Sequence, residues 1–461
     1  VSIAVINFGV NIALARMLTK ADFGLLSMIG IFTAIAADLS GCGLSDGLIQ
    51  KPNPTEKDYS TVFVFNAGVG LIFGLAFFFG APLIASYFGH HELVEIMRVY
   101  GVCFFFQTMS YVQETRLKKL LKMKTMCFVR VGATITASGL GVAAAALGYG
   151  YRALVCSQIL LSFFFFLYYT LASRWFPKLT FDRKSFKELF SYGVHLMIAY
   201  LATIIGKNIN PTVLGKLNAS AAFSGIYYQG AKLANVPFNV SELSLNSPFF
   251  VVASNETDPD RQRSLIRRML TTIVSVNTAL LMLMLVIAAP GIELLYGDEW
   301  LGAIPIFRIM AVCEFLVCLR LFFGTICKVH ARTSFVRNMS FAEVILQLGL
   351  LVAFHSHGII WIVWTQAVAV AVATVAYMLF CRRYIAMTLT DMGAALLGGS
   401  WLQGVGAAVA AVALWGADGL PSWVRCAVVA AVYGGTIVAI GELLRPAAYT
   451  ALRSRLLRRQ A

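Results

Sequence analysis

Charged side chains occur inside several of the long apolar stretches of this sequence. Lys232 stands about eleven residues into the stretch 221–252, and Arg320 lies deep in the stretch 302–327. Asp38 is a third such residue. A charge at the centre of a bilayer costs about 2.5–3.5 kcal/mol on insertion scales. Charges retained there predict one of two chemistries: binding of a charged, polar substrate in a water-filled cavity, or internal ion pairs and contacts at the membrane interface.

Polar and aromatic residues accompany these charges. Tyr228 and Gln229 lie within about one turn before Lys232, where a ring could stack on a sugar. Glu314, six residues before Arg320, could instead neutralise that arginine within the protein. The predicted substrate-binding residues are Lys232, Gln229, Tyr228, Lys207, Asn208, Asn210, Arg320 and Asp38.

The sequence contains none of the common catalytic or nucleotide-binding patterns. It has no nucleophile elbow, Walker A loop, HExxH or Rossmann glycine motif. Its nine cysteines form no CxxC, which argues against a zinc site or a disulfide framework. We therefore predict no catalytic residue, no metal and no cofactor, and we expect that the protein is not an enzyme.

The elements that carry these residues are predicted to be membrane-spanning helices. Apolar residues make up 59% of the 461 residues and charged residues 13%, whereas soluble domains carry about a quarter charged residues. A barrel would show short alternating segments instead. We predict an all-α integral membrane protein of about fourteen spans, with the first span truncated by missing N-terminal residues. The predicted spans are 1–18, 22–49, 59–88, 94–115, 126–147, 151–174, 187–215, 221–252, 266–296, 302–327, 335–355, 358–380, 393–416 and 422–444.

Three prolines fall within two of these predicted spans. Pro211 lies in the span 187–215, and Pro237 and Pro248 lie in the span 221–252. Proline removes one helix hydrogen bond and can break a helix. Such breaks are tolerated in membranes where helices line a cavity. The prolines therefore predict interruptions beside the candidate site.

The net charge of +15 follows the membrane topology. Lysine and arginine collect in alternate loops, such as 116–124 and 174–187, while the intervening loops 89–93 and 297–302 lack them. This alternation is the positive-inside pattern. It predicts both termini in the cytoplasm and excludes nucleic acid as the reason for the charge. We expect the basic tail 445–461 to meet anionic headgroups.

The two halves of the chain resemble each other at an offset of about 200–210 residues. Leu14–Arg16 followed by Phe23 matches Leu214–Lys216 followed by Phe223, and three further matches keep the same order: 81–84 with 289–292, 96–103 with 306–313, and 128–130 with 335–337. An even number of spans in each copy predicts a parallel repeat. The predicted organisation is an N-terminal six-helix lobe 1–175, a cytoplasmic linker 176–186, a C-terminal six-helix lobe 187–383, two extra helices 391–444 and the tail 445–461.

Two parallel lobes around a midplane site are typical of transporters that use alternating access. The polar residues above would line such a site. No predicted loop is long enough to form a soluble domain. We therefore interpret the chain as a transporter that acts within the membrane.

Particular segments resemble a known family. The most specific are Leu14–Leu25 (LARMLTKADFGL), Gly43–Lys51 (GLSDGLIQK) and Pro54–Phe63 (PTEKDYSTVF). These resemble the polysaccharide-synthesis branch, with its colanic and teichuronic acid exporters, of the multidrug/oligosaccharidyl-lipid/polysaccharide flippase superfamily. Further similar segments are 186–193, 232–237 and 297–306, and the resemblance covers about residues 1–385.

The resemblance implies a multi-pass protein of the bacterial inner membrane. Its implied function is to flip oligosaccharide repeat units linked to undecaprenyl pyrophosphate to the outer leaflet, for exopolysaccharide or lipopolysaccharide synthesis. Membrane lipids, a polysaccharide polymerase and the export machinery are the implied partners, with no nucleic acid. This chain has Gln229 where the family places a basic residue, so Lys232 would take over anion binding.

Two other functions fit parts of the pattern. A cation-coupled drug antiporter of the same superfamily should favour acidic residues in its cavity, but cations at least match acids in these spans. A membrane-embedded polymerase or glycosyltransferase should carry a large outer loop with catalytic carboxylates, and no predicted loop has that size. We therefore favour the flippase.

Overall fold

The computed structural model describes residues 2–41, 44–51, 53–217, 221–256, 258–330, 332–385 and 389–444. Helices make up these segments, with no strand among them. They are α1 Ser2–Met17, α2 Lys20–Met28, α3 Gly30–Gly41, α4 Leu44–Gln50, α5 Glu56–Phe88, α6 Glu92–Lys119, α7 Met123–Ala146, α8 Tyr151–Ser173, α9 Arg183–Leu217, α10 Ala221–Asn255, α11 Pro259–Tyr296, α12 Ile304–Val329, α13 Thr333–Phe354, α14 Ile359–Ile385, α15 Leu389–Gly416 and α16 Ser422–Leu444. Short 3₁₀ helices precede α12 and α14.

The chain is a helical, multi-pass membrane protein, as the composition predicts. Within the segments that the structure describes, eight helices are long and apolar enough to cross a membrane, or nine if α2 and α3 form one bent span. The predicted total of about fourteen spans is not confirmed by this measure and stays a prediction. The predicted basic tail 445–461 lies outside the described residues.

Side-chain caps fix the first turns of several helices. Thr19 and Asp22 form a reciprocal capping box at the start of α2, and Thr55 and Asp58 form another at the start of α5. Asp182 accepts hydrogen bonds from the backbone and hydroxyl of Ser185, at 2.8 and 2.7 Å. These bonds lower the pKa of the Asp182 carboxyl because they stabilise its charged form. The caps satisfy amides that have no partner within their own helices.

The predicted second span, 22–49, is wrong as a continuous helix. Helix α2 ends at Met28, and α3 starts at Gly30 with a bend of 47°. Glycine weakens a helix interior because it has the most backbone freedom to lose. The Thr212 hydroxyl of α9 lies 3.3 Å from the Met28 carbonyl at this break and 3.1 Å from the Asn208 carbonyl of its own helix, so the two acceptors share its single proton. A neighbouring helix thus offers a donor to a backbone group at the bend.

The prolines that could break helices do not interrupt them. Pro211 lies inside the continuous helix α9, and Pro237 and Pro248 lie inside the continuous helix α10. Transmembrane helices tolerate proline because small adjustments and neighbouring groups compensate for the missing hydrogen bond. The interruption in this part of the fold falls at glycine instead.

The chain divides into two compact units, Val1–Tyr228 and Gln229–Ala461. Helix α9 belongs to the first unit because it packs against α2, α3, α4 and α5. Near its start, Phe186 and Phe190 stack on each other and contact Phe65 of α5. The lobe boundaries predicted from the sequence repeat stay a prediction.

Within the first unit, small residues let helices approach closely. A Cβ atom on Gly101 of α6 would lie 2.7 Å from the Gly74 carbonyl oxygen of α5, and one on Gly70 would lie 2.3 Å from the Thr108 hydroxyl. Gly141 of α7 meets Ser157 of α8 in the same way. Small residues of this kind hold membrane helices together, because apolar side chains gain little by leaving apolar lipid.

In the second unit, α11 is the central helix. It packs against α12, α14, α15 and α16. The two C-terminal helices are held to it by polar contacts: the Tyr433 hydroxyl donates to the Ala279 carbonyl at 3.0 Å, and the Glu293 carboxylate accepts from Ser422 and Arg425. The predicted extra helices therefore pack on α11 rather than standing apart from the fold.

Gly141 and Gly139 provide a matched test of the glycine contacts on α7. A Cβ atom at position 141 would lie 2.5 Å from the Ser157 Cβ, whereas one at position 139 would have nothing within 4 Å. We expect Gly141→Ala to destabilise the protein by about 1–3 kcal/mol through overpacking. Gly139→Ala should leave stability close to wild type. Thermal unfolding in detergent measures both, and equal unfolding temperatures for the two variants would contradict this packing.

Candidate functional site

The predicted residues on α10 occupy two sides of one helix. Gln229 is fully buried, whereas Tyr228 and Lys232 are half-buried. Tyr228 and Lys232 are four residues apart, so they share a helix face. Lys232 lies about 17 Å from the start of α10 at a rise of 1.5 Å per residue. The structure thus places an aromatic ring and a cation on one face of α10, and the depth of Lys232 in the membrane stays a prediction.

The predicted residues on α9 are less accessible. The Asn208 amide donates to the Ile204 carbonyl of its own helix at 2.9 Å, and Asn210 is fully buried. A polar side chain that bonds its own helix is satisfied without a ligand. Asp38 lies on α3 and Lys207 on α9, but their side chains are outside the described residues. Their roles in substrate binding stay predictions.

Glycines that the sequence analysis did not select bring α2 against the first turns of α10. A Cβ atom on Gly24 would lie 1.6 Å from the Ala221 carbonyl oxygen, and one on Gly225 would lie 1.9 Å from the Lys20 carbonyl oxygen. Any side chain at either position would displace backbone. This contact therefore requires glycine at both positions.

The two glycine contacts have a two-fold pattern. Gly24 and Gly225 are separated by 201 residues, as are Lys20 and Ala221, which falls within the offset of the sequence repeat. Gly24 contacts Ala221 while Gly225 contacts Lys20, so equivalent positions exchange contacts, as in an isologous interface. The sequence carried a signal for this contact: a glycine follows each of the matching phenylalanines Phe23 and Phe223 within two residues.

The end of α9 extends the same contact. A Cβ atom on Gly215 would lie 2.4 Å from the Met28 side chain, and the Lys216 ammonium donates to the Tyr87 carbonyl at 2.6 Å. We call the contact of α2 with the end of α9 and the start of α10 the glycine closure. It lies at the face that the charge pattern predicts to be outside the cell.

Arg320 forms an ion pair that the sequence analysis missed. Its guanidinium lies 2.9 Å from the Glu343 carboxylate of α13, and both side chains are largely buried, at 14% and 12% exposure. The sequence had suggested Glu314 of the same helix as the neutralising partner. A partner from a neighbouring helix cannot be identified by spacing along one helix. This pair gives Arg320 a structural role, and substrate binding by Arg320 stays a prediction.

A second ion-pair network lies in the first unit. Glu114 of α6 accepts from Arg130 of α7 at 2.6 Å and from Lys118 at 2.7 Å. Arg130 also donates to the Tyr169 hydroxyl of α8 at 3.0 Å. The network joins three helices near the predicted cytoplasmic face. Two cations thus neutralise the Glu114 carboxylate, which gives a structural reason for an acidic residue in this apolar stretch.

Two local arrangements surround the predicted site residues. On α10, a cation and an aromatic ring share one helix face. Between α2 and the helices α9 and α10, small residues permit a close contact. Across the residues that the structure describes, no group of three or more His, Cys, Asp or Glu side chains could hold a metal ion.

Solved structures with the same fold define the class of protein. A lipid II flippase, MurJ, in an inward-closed conformation matches with a TM-score of 0.74 at 14% identity, over 96% of this chain and 99% of that one. An inward-facing multidrug resistance transporter of the MATE family, within the MOP superfamily, matches with a TM-score of 0.65 at 16% identity, over 83% and 94%. This chain therefore has a MurJ- and MATE-like membrane transporter fold.

The sequence comparisons then identify the family. A family model described as polysaccharide biosynthesis protein matches residues 13–305, and this chain belongs to that family. The resemblance stated from the sequence segments is thereby confirmed. The teichuronic acid biosynthesis protein TuaB of Bacillus subtilis is 23% identical over 359 residues, covering 77% of this chain and 74% of that protein.

Other relatives are also proteins of polysaccharide synthesis or transport. The lipopolysaccharide biosynthesis protein WzxC of Escherichia coli is 22% identical over 66% of this chain and 62% of its own length. The succinoglycan biosynthesis transport protein ExoT of Rhizobium meliloti is 22% identical over 65% and 61%. This chain thus spans about three fifths of these two relatives.

The ion pair between Arg320 and Glu343 can be tested by a double-mutant cycle. Glu343→Gln should destabilise the protein by about 3–5 kcal/mol, since it leaves a buried guanidinium without its charged partner. The double variant Arg320→Gln, Glu343→Gln should recover most of that loss because no unpaired charge remains. Thermal unfolding in detergent measures the coupling. If the loss in the double variant equals the sum of the losses caused by Glu343→Gln and Arg320→Gln alone, the pair has no structural role.

Proposed function

We propose that this chain is a flippase that moves an oligosaccharide linked to undecaprenyl pyrophosphate from the inner to the outer leaflet of the bacterial inner membrane. Membership of the polysaccharide biosynthesis family supports the substrate class. The observation that carries the proposal is Lys232, a half-buried cation eleven residues into α10 with Tyr228 on the same helix face. Family and site together favour a substrate that combines negative charge with sugar.

Lys232 is the proposed pyrophosphate ligand. A charge-assisted hydrogen bond is worth about 1.5–3 kcal/mol, and it is stronger where water is scarce. The ring of Tyr228, one turn away, offers an apolar face and a hydroxyl to a sugar. In this proposal α10 binds the headgroup of the substrate, while the lipid tail remains in the bilayer.

The proposed transport step opens and closes the glycine closure. When α2 lies against α9 and α10, the outer end of the path is closed by backbone contact. Outward release requires α2 to separate from both helices. Gly24 and Gly225 contact carbonyl groups without interlocking side chains. The separation must also break the hydrogen bond from the Thr212 hydroxyl to the Met28 carbonyl and the contact of the Met28 side chain with Gly215. The bend at Gly30 gives α2 a place about which to move.

The membrane potential would assist this movement. A pyrophosphate that crosses outward carries about two negative charges, and each is worth about 2.3 kcal/mol per 100 mV. With the cell interior negative, outward movement of the headgroup is favoured. The proposed flippase therefore needs no nucleotide hydrolysis, in agreement with the lack of a Walker A motif in the sequence.

The first test removes the proposed pyrophosphate ligand. Lys232→Ala should lower the rate of lipid-linked oligosaccharide flipping in proteoliposomes roughly 10- to 100-fold, the equivalent of one charge-assisted contact. Lys232→Arg should retain partial activity, since the charge remains while the geometry changes. Labelled lipid that becomes accessible to an impermeant enzyme measures the rate.

Lys124→Ala is the matched control for loss of a lysine. Lys124 is exposed near the start of α7, so its removal should leave flipping unchanged. All variants should show wild-type unfolding temperatures. Flipping at the full rate by folded Lys232→Ala would disprove the role of Lys232 and would leave the family's link to polysaccharide synthesis intact.

The second test locks the glycine closure. Cysteines that replace Lys20 and Ala222 would lie on the two contacting segments, within reach of a short bismaleimide. Cross-linking the pair should abolish flipping because α2 could no longer leave α10. Each single-cysteine variant treated with the same reagent provides the control for the native cysteines. Undiminished flipping by the cross-linked protein would rule out movement of α2 away from α10.

A further inference from the structure

Cations from three elements meet at the last turn of α14. The Arg332 guanidinium, in the connection between α12 and α13, donates to the Tyr384 hydroxyl at 3.1 Å. The Arg383 guanidinium lies 4.9 Å from the centre of the Tyr384 ring. Arg267 of α11 donates to the Ile385 carbonyl at 3.3 Å. We call this group the α14 arginine cluster.

Tyr384 is held in place by a neutral partner. His330 stacks on its ring with 4.4 Å between ring centres and an angle of 18°. Burial lowers the pKa of His330, so the imidazole is neutral at pH 7 and does not add to the charge. The Tyr384 ring therefore acts as a fixed support on which the arginines are arranged.

The arginines of the cluster differ from Arg261 and Arg263 of α11 in the groups that they contact. Arg261 and Arg263 of α11 pair with Asp258 and Asp260 at 3.4 and 3.2 Å. Among the described side chains, no carboxylate forms an ion pair with Arg332 or Arg383, and both are exposed. Arg332 uses one guanidinium donor on Tyr384, while Arg383 faces aromatic rings. Several donors in a planar fork are thus available for an anion.

An exposed apolar stripe of α14 leads to the cluster. Val372, Val375 and Leu379 are 50%, 55% and 44% exposed, and they follow one another at helical spacing before Arg383. In a membrane helix, such a stripe faces lipid chains. A ligand that contacts both stripe and cluster needs acyl chains along the helix and an anionic head at its end.

We propose that the α14 arginine cluster binds the phosphate of an anionic phospholipid, phosphatidylglycerol or a similar lipid, in the inner leaflet. Guanidinium groups bind phosphate through paired, charge-assisted hydrogen bonds. The apolar stripe favours a lipid over a free phosphate. The cluster lies at the predicted cytoplasmic face, where basic residues meet anionic headgroups. This binding is separate from substrate flipping and does not depend on it.

The test measures lipid binding directly. The full chain in detergent is titrated by calorimetry with dioctanoyl phosphatidylglycerol, and with dioctanoyl phosphatidylcholine as the zwitterionic comparison. Wild type should bind the anionic lipid more tightly. Arg332→Gln with Arg383→Gln should weaken that binding roughly tenfold, because each arginine contributes to the electrostatic attraction of an anionic headgroup. The same double variant should leave the weaker binding of phosphatidylcholine unchanged.

The control variant is Arg261→Gln with Arg263→Gln, which removes the same charge from arginines that already have acidic partners. It should bind phosphatidylglycerol within about twofold of wild type, since paired charges add little field. Equal losses in both double variants would mean that only net charge matters and would overturn the site. Wild-type affinity in the cluster variant would overturn it too. Displacement of the lipid by glycerol 3-phosphate at equal concentration would overturn the assignment to a lipid.

Discussion

The hydrocarbon interior offers no hydrogen bonds to the polypeptide backbone, and this constraint shapes the whole molecule. A backbone amide left without a partner there costs several kcal/mol, so each spanning segment must be a helix. Where a spanning helix is interrupted, its free backbone groups need a hydrogen-bond donor or acceptor from elsewhere in the protein. The break between α2 and α3 shows how this works: the Thr212 hydroxyl of α9 offers a donor to the Met28 carbonyl, which shares it with the Asn208 carbonyl of α9.

The same interior gives apolar side chains little reason to associate, so close approach of backbones takes over. Glycine permits close helix contacts at Gly74 with Gly101 and at the glycine closure. The contacts differ in what surrounds them. Those between α5 and α6 belong to a long antiparallel pair, whereas those of the glycine closure lie near helix ends. The proposed movement of α2 would therefore disrupt a shorter contact than separation of α5 from α6.

Two of the charges inside apolar stretches are paired across helices. Arg320 and Glu114 have partners from neighbouring helices at hydrogen-bond distance, and removing one member of such a pair leaves the other as an unpaired charge in a low dielectric. These pairs hold helices together. A charge inside an apolar stretch therefore indicates substrate binding only after its neighbours from other helices are known.

The sequence by itself determined the helical membrane class, the alternating basic loops and the family. Each of these depends on composition or on order along the chain, which hydrophobic length and charge count report directly. Tertiary structure decided which charges are paired. Glu343 lies 23 residues after Arg320 in sequence, and no spacing rule could join them across two helices. It also decided that Pro211 leaves α9 continuous while Gly30 marks a bend, because the neighbours of a backbone group determine whether it can be satisfied. The contact of Gly24 with Ala221 likewise required the fold, since glycine fits many positions and only a facing backbone makes it necessary.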